Sequence, residues 1–334
     1  MLLGLAGVGA LVLLREVLAG TRKFDLHGKI VLITGGSRGL GLVMAREFAA
    51  RGAKIAICAR DLEELARAKT DLEERGADVF TASCDVMNKA EIGQMVNAVR
   101  MHFGQIDVLI NNAGIIQVTP LENATEADFD EALKTHFWAA YHTINEVLPE
   151  MRERGAGRIV NISSIGGKVS FPHLLPYNTS KFALVGYSEG LRAELLKDNI
   201  FVTTVCPGLM RTGSPRNAFF KGNNEKEYAW FKISDSLPFV SISAEEAARQ
   251  IVSAAIRGDA ELIISFPAKL GVAIHGLFPG LTADVFSVIN NFLPAPGGIG
   301  EKRAKGKDSE SAASESFLTE LTDQAAERNN EMLN

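Results

Sequence analysis

Signals for metals and disulfides are missing from this chain. It has only three cysteines, with no C-x-x-C, no H-E-x-x-H and no clustered His/Cys spacing. That excludes a disulfide framework and leaves no metal site to expect. Cys58, Cys84 and Cys206 each lie in or at the end of a strand-like apolar run, which reads as buried thiols in a reducing compartment. Basic excess is missing too. The net charge is −5, and no basic stripe is interleaved with aromatics. Nucleic acid is therefore not an expected partner. No internal repeat is present, nor an apolar run of full membrane-crossing length, which takes about 20 residues. The opening MLLGLAGVGALVLL stops short of that at Arg15 and lacks the basic start of a signal peptide.

What is present is ordinary globular material, 334 residues at 46% hydrophobic. Four segments can be drawn: an apolar N-terminal stretch 1–24, a large domain 25–265, an apolar helical extension 266–296 and a charged, Ser-rich tail 297–334 expected to be partly mobile. Leu, Gly and Ala alternate all round the first segment and leave no polar face. It reads as a helix lying on or dipping into a membrane, with Arg22 and Lys23 at the headgroups, or as a helix packed on its own fold or on a dimer partner. From residue 28, short β-branched runs alternate with amphipathic stretches. KIVLIT, KIAICAR, DVFTASCDV, IDVLINNAG, GRIVNISS, IFVTTVCPG and AELIIS read as strands, and a long helical stretch spans about 126–154. The pattern predicts an α/β fold: one doubly wound Rossmann-type domain of about seven parallel strands flanked by helices. In the extension, Pro279 breaks the apolar run, and FLTELTDQAAER predicts a final short helix able to dock back.

Two local patterns carry chemistry. TGGSRGLG follows the first strand and contains Thr34, Gly35, Ser37, Arg38, Gly39, Leu40 and Gly41. Glycines there allow a tight turn and let backbone N–H groups approach a diphosphate at a helix N-terminus. YNTSK places Tyr177 and Lys181 four residues apart, on one face of a helix. A phenol titrates near pH 10 in water, and a fixed positive charge beside it favours the phenolate.

These two patterns occur in order with NNAG (Asn111, Asn112, Ala113, Gly114) and a serine after the fifth strand. Pro207, Gly208 and Thr212 follow the sixth. Over about residues 28–265 the chain resembles the short-chain dehydrogenase/reductase family. The resemblance implies that Tyr177 is the general acid/base, that Lys181 lowers its pKa and binds the nicotinamide ribose, and that Ser164 holds the substrate oxygen. Ser163, its neighbour, would be structural by strand alternation. It also implies that Asp85 and Val86 flank the adenine and that Asn111 meets the adenosine ribose. The family usually carries Asn where FDEALKTHFWAAYH has His136. There His136 either bonds a neighbouring carbonyl or replaces the Asn in a water relay to the lysine, adding pH sensitivity near neutrality.

Cofactor choice turns on the end of the second strand, where CAR puts Ala59 in the expected acidic position and Arg60 next to it. With Arg38 this makes two guanidiniums and no carboxylate, which predicts NADP(H). Asp61 is expected to cap the next helix. Phe171, Leu174, Leu175, Met210, Phe219, Phe220, Trp230 and Phe231 predict an apolar site for a bulky lipophilic substrate, although many would pack the lid onto its own core.

Three functions remain open on sequence: an NADPH-dependent carbonyl reductase, the same machinery run as an NADP+-dependent alcohol or hydroxysteroid-type dehydrogenase, and a non-catalytic NADP(H)-binding sensor or scaffold. The intact Ser–Tyr–Lys set argues against the last. A homodimer or homotetramer is expected from the family, located on the cytoplasmic side and peripheral or anchored to a membrane.

Overall fold

The computed structural model describes residues 22–237, 239–315 and 319–332. Most of the apolar N-terminal segment, and the anchoring expected of it, lies outside these residues. Where the described chain begins, the Arg22 guanidinium stands 5.4 Å from the Phe201 ring centroid, and the Arg22 carbonyl accepts a 2.7 Å hydrogen bond from Arg158. Arg22 therefore rests on the domain's own surface.

The seven expected strands form: β1 (Ile30–Thr34), β2 (Lys54–Ala59), β3 (Val79–Ser83), β4 (Val108–Asn111), β5 (Gly157–Ile162), β6 (Ile200–Pro207) and β7 (Glu261–Ile264). They make one parallel sheet in the order β7-β6-β5-β4-β1-β2-β3. Central strands such as IVLIT are buried on both faces, which is why they read as unbroken apolar runs rather than alternating ones. Helices cover both faces, giving two separate cores. One holds Phe48, Ile33 and Ile251, and the other holds Leu32, Met95 and Ile144. Fully burying a side chain such as Phe48 stabilises by about 1.5–3 kcal/mol.

The order reverses between β1 and β4, and a crevice opens there at the carboxyl ends of the strands. Into it run the turns that enter α1 (Gly39–Ala49), α2 (Leu62–Glu74) and α3 (Lys89–Phe103). Asp61 caps α2 as expected, accepting from the Glu63 and Glu64 amides at 2.9 Å. The stretch 126–154 is helical but not uniform. A π-helical turn, Lys134–Trp138, separates α4 (Glu126–Leu133) from α5 (Ala139–Arg154). Helix α6 (Leu175–Leu195) carries YNTSK in its first turns.

Past β6, α7 (Asn224–Ser236) forms a lid and α8 (Ala244–Arg257) returns to β7. The extension is two helices, α9 (Phe266–Leu277) and α10 (Pro279–Asn290), bent by 120° at the expected proline. Among the described residues no single helix is long and apolar enough to cross a membrane.

The tail makes contacts with the lid and with the strand before it. Ala304–Lys305 pairs antiparallel with Phe219–Phe220, which also pairs with Gln117–Val118. Lys232 donates to the Ser314 carbonyl at 3.0 Å, and Ser236 to Thr322 at 2.6 Å, tying α11 (Glu320–Arg328) to the lid. The small polar residues Ser309, Ser314 and Thr322 bond Asn224, Lys232 and Ser236 of the lid.

Candidate active site

The crevice is a cleft of about 780 Å³, continuous at Tyr177 with an apolar chamber of about 540 Å³. Gly35 has φ +63°, a conformation that L side chains resist. A Cβ on Gly41 would lie 2.0 Å from the Gly35 carbonyl oxygen. The turn closes only without side chains, so its surface is bare backbone at the entry to α1. Ser37, Arg38, Gly39 and Leu40 also line the cleft. So do Arg60, Asp85, Val86, Asn112, Ala113 and Gly114, and at the inner end Tyr177, Lys181 and Thr212.

Four residues expected at the cofactor are placed otherwise. Thr34 is buried and braces the loops: its Oγ1 accepts from the amides of Asn112 (3.0 Å) and Ala113 (3.1 Å). Asn111 sits within β4, where it donates to Asn161 at 2.9 Å and accepts from Thr143 at 2.6 Å. It faces helix α5, not a ribose, because the strand turns that side chain away from the crevice. Its neighbour Asn112 clamps the glycine turn, donating to the carbonyls of Thr34 (3.1 Å) and Gly35 (3.0 Å). Pro207 and Gly208 line the apolar chamber instead of the cleft.

Ser164, Tyr177 and Lys181 come together where cleft and chamber join. Ser164 and Tyr177 both line the chamber, and the Ser164 hydroxyl caps a short turn, accepting from the Gly166 amide at 3.0 Å. Ser163 is structural as expected, its hydroxyl donating to the Lys181 carbonyl at 3.1 Å. Lys181 Nζ lies 5.6 Å from the Tyr177 ring centroid and donates to the Ile162 carbonyl at 2.9 Å. The expected lowering of the tyrosine pKa is not displayed. Burial pushes Tyr177 up to about 12, against a smaller opposite pull from Ser164. Burial also brings Lys181 down to about 7. Desolvation outweighs a partner that is itself only part-charged at neutrality.

His136 lines neither cavity. Its Nε2 accepts the Ile115 N–H at 3.1 Å. Nδ1 must then carry the proton, and it donates to Ser180 Oγ at 2.7 Å. Ser180 in turn donates to the Tyr177 carbonyl at 2.7 Å. Both ring nitrogens are thus committed, to an amide and a hydroxyl, and neither reaches Lys181. Burial, and then the Lys181 charge, hold the imidazole well below its usual pKa. The expected pH sensitivity near neutrality is lost for that reason. We predict coincident pH–rate profiles for wild type and His136→Asn between pH 6.5 and 8. An unfolded histidine protonates near pH 6.5 while the folded one does not, so wild-type stability should fall as pH drops below 6.5, and the variant should lose less. Thermal melts at pH 7 and 5 check this. A rate inflection near 6.5 present only in wild type would show that His136 titrates in the working enzyme.

Sequence reasoning missed two features. Glu64, in the first turn of α2, reaches back to accept from Ser37 at 2.9 Å and pairs with Arg38 at 3.3 Å, so a carboxylate does stand among the guanidiniums. Asp235 of the lid lines the chamber, buried, with its carboxyl pushed up to about 8 by desolvation.

The short-chain dehydrogenase family model matches residues 29–221. The chain belongs to the short-chain dehydrogenase family. This dehydrogenase is 36% identical over 246 residues to a dehydrogenase/reductase SDR family protein 7-like of Anopheles gambiae, covering 72% of this chain and 76% of the relative. It is 34% identical over 239 residues to 11-beta-hydroxysteroid dehydrogenase 1A of Arabidopsis thaliana, covering 70% and 67%. Among solved structures it resembles an actinorhodin polyketide ketoreductase with NADPH (TM-score 0.64, 30% identity, 71% of this chain and 96% of that one). The L-sorbose reductase of Gluconobacter frateurii, solved with NADPH and L-sorbose, matches at TM-score 0.64 and 28% identity, covering 72% and 97%. The dehydrogenase is therefore an oxidoreductase, and its fold implies a nicotinamide cofactor. The bare glycine turn at the head of α1 fits the diphosphate of such a cofactor.

Proposed function

We propose that the dehydrogenase is an NADPH-dependent carbonyl reductase acting on a lipophilic ketone or aldehyde. The observation that carries this is the position of Tyr177. It stands at the junction of a polar cleft and an apolar chamber, with a phenol that burial keeps protonated. A protonated acid is what reduction needs. Bound nicotinamide supplies the hydride. Ser164 and Tyr177 hydrogen-bond the carbonyl oxygen, and Tyr177 gives up its proton as charge develops there. Lys181, anchored on Ile162, holds the inner end of the cleft and lends positive charge when protonated. Phe171, Leu174, Trp230 and Phe231 wall the chamber, while Phe220 packs into the lid's own core. Arg38, Arg60 and Arg67 gather at the adenosine end, where a guanidinium suits a 2′-phosphate, although Arg38 must be shared with Glu64.

We place the enzyme as a peripheral protein on the cytoplasmic face of a membrane. In support, α9 and α10 wall the chamber through Gly271, Ile274 and Phe286, and carry exposed Phe266, Leu277 and Phe278 on the outside. A lipophilic substrate would pass directly from lipid to chamber. We also propose a homodimer or homotetramer through α5 and α6, which leave Phe182 and, beside Trp138 of the π-helical turn, Tyr141 partly exposed.

The test is NADPH consumption by full-length protein in mild detergent. The panel spans steroid ketones, retinal, 3-oxoacyl esters, 3-ketosphinganine and small aromatic ketones. We expect turnover on a long or polycyclic member, with NADPH preferred over NADH. A preference for NADH would overturn the cofactor assignment. Tight NADPH binding without turnover on any member would favour the sensor reading.

A further inference from the structure

After α11, Asn330, Glu331 and Met332 line the cleft, Asn330 and Glu331 beside the glycine turn. The Asn329 carbonyl accepts the Gly39 N–H at 2.8 Å, taking a free amide at the head of α1. Asn330, at φ +59°, donates to the Ser37 carbonyl at 2.8 Å and the Glu64 carbonyl at 3.1 Å, and accepts from Arg67 at 2.7 Å. Arg46 holds the approach, donating to the Arg328 carbonyl at 3.1 Å. The Glu331 side chain is 4% exposed, with Oε2 3.5 Å from Arg38 Nε. The same oxygen accepts from Asn217 at 2.6 Å. Its Oε1 lies 2.5 Å from where a Cβ on Gly39 would stand. A carboxylate thus fills the space that the glycine leaves open, at the positive end of a helix and against a guanidinium. That is the environment a phosphate group would seek.

We propose that Asn329–Met332 is an autoinhibitory strap whose Glu331 carboxylate competes with the anionic groups of the dinucleotide. This rests on the reading of the cleft as the dinucleotide site. The strap must leave before a diphosphate can meet the head of α1. Its departure frees the Gly39 amide and returns Arg38 to the cofactor. Helix α11 stays tied to the lid through Thr322, so only the last residues need move.

The experiment measures NADPH affinity by fluorescence and calorimetry in wild type, Glu331→Gln and a chain ending at Arg328. We expect Kd to fall about tenfold in the shortened chain, the equivalent of about 1.4 kcal/mol, with a smaller fall in Glu331→Gln. A second readout is proteolysis after Arg328 in wild type, which NADPH should accelerate. Unchanged or weaker binding in the shortened chain, or protection of Arg328 by NADPH, overturns the strap while leaving the dinucleotide site standing. No binding of NADPH or NADH by any of the three chains overturns both.

Discussion

Tyr177→Phe should abolish carbonyl reduction, by about 10²–10⁴-fold for loss of a positioned acid, while NADPH binds as in wild type. The variant deletes one oxygen. The ring still packs edge-on against His136 at 5.5 Å between centroids, and the Ser180 hydroxyl still has the residue 177 carbonyl to bond. Lys181 keeps its bond to Ile162. What goes is the proton, and with it half of the polar contact to the substrate oxygen. Direction follows from the same group. A phenol at about 12 is protonated across pH 6–9, so its protonation state should not limit reduction anywhere in that range. Alcohol oxidation needs the phenolate, whose fraction grows tenfold per pH unit below 12, so the reverse rate should climb with pH. Steady-state kinetics in both directions, with the variant as blank, checks both statements. Residual reduction within tenfold of wild type would remove Tyr177 from the chemistry.

The sheet was legible because each central strand is a short β-branched run buried on both faces, a pattern that needs no knowledge of its neighbours. The glycine turn and YNTSK were legible for a related reason, since their chemistry lies within a few consecutive residues. The misplacements are all matters of direction or distance. Asn111 and Asn112 are adjacent, yet one bonds Asn161 inside the sheet and the other clamps the glycine turn. Alternation along β4 was the available signal, and it would have separated them. His136 looked like a titrating group because an isolated imidazole is one. Only the Ile115 amide, held against Nε2, settles its tautomer. Glu64 meets Ser37 across a loop, and Asn330 meets the Ser37 carbonyl 293 residues away in sequence. Spacing rules carry no information about such contacts. The tail's contacts with the lid were illegible for a similar reason: composition measures what a segment can bury by itself, not what a lid offers to it.

Gly41→Ala is expected to have the second large effect, on binding rather than on chemistry. The added carbon would sit 2.0 Å from the Gly35 carbonyl oxygen and 2.7 Å from Asn112 Nδ2. Neither neighbour can yield cheaply. The oxygen belongs to backbone already held at φ +63°, and the amide donates to that same oxygen at 3.0 Å. Relief requires the turn to open away from Asn112. That breaks the clamp, and it shifts the backbone at the entry to α1, where a diphosphate must fit. Overpacking of this kind costs about 1–3 kcal/mol. If the strain falls on the turn, NADPH affinity drops by a similar amount, about 10–100-fold. Melting temperature and calorimetric Kd separate the two consequences. A variant that melts lower yet binds NADPH as wild type does would mean that the turn accommodates the methyl group without moving its surface. The close approach of Gly41 would then serve the packing of α1 against β1, not the ligand.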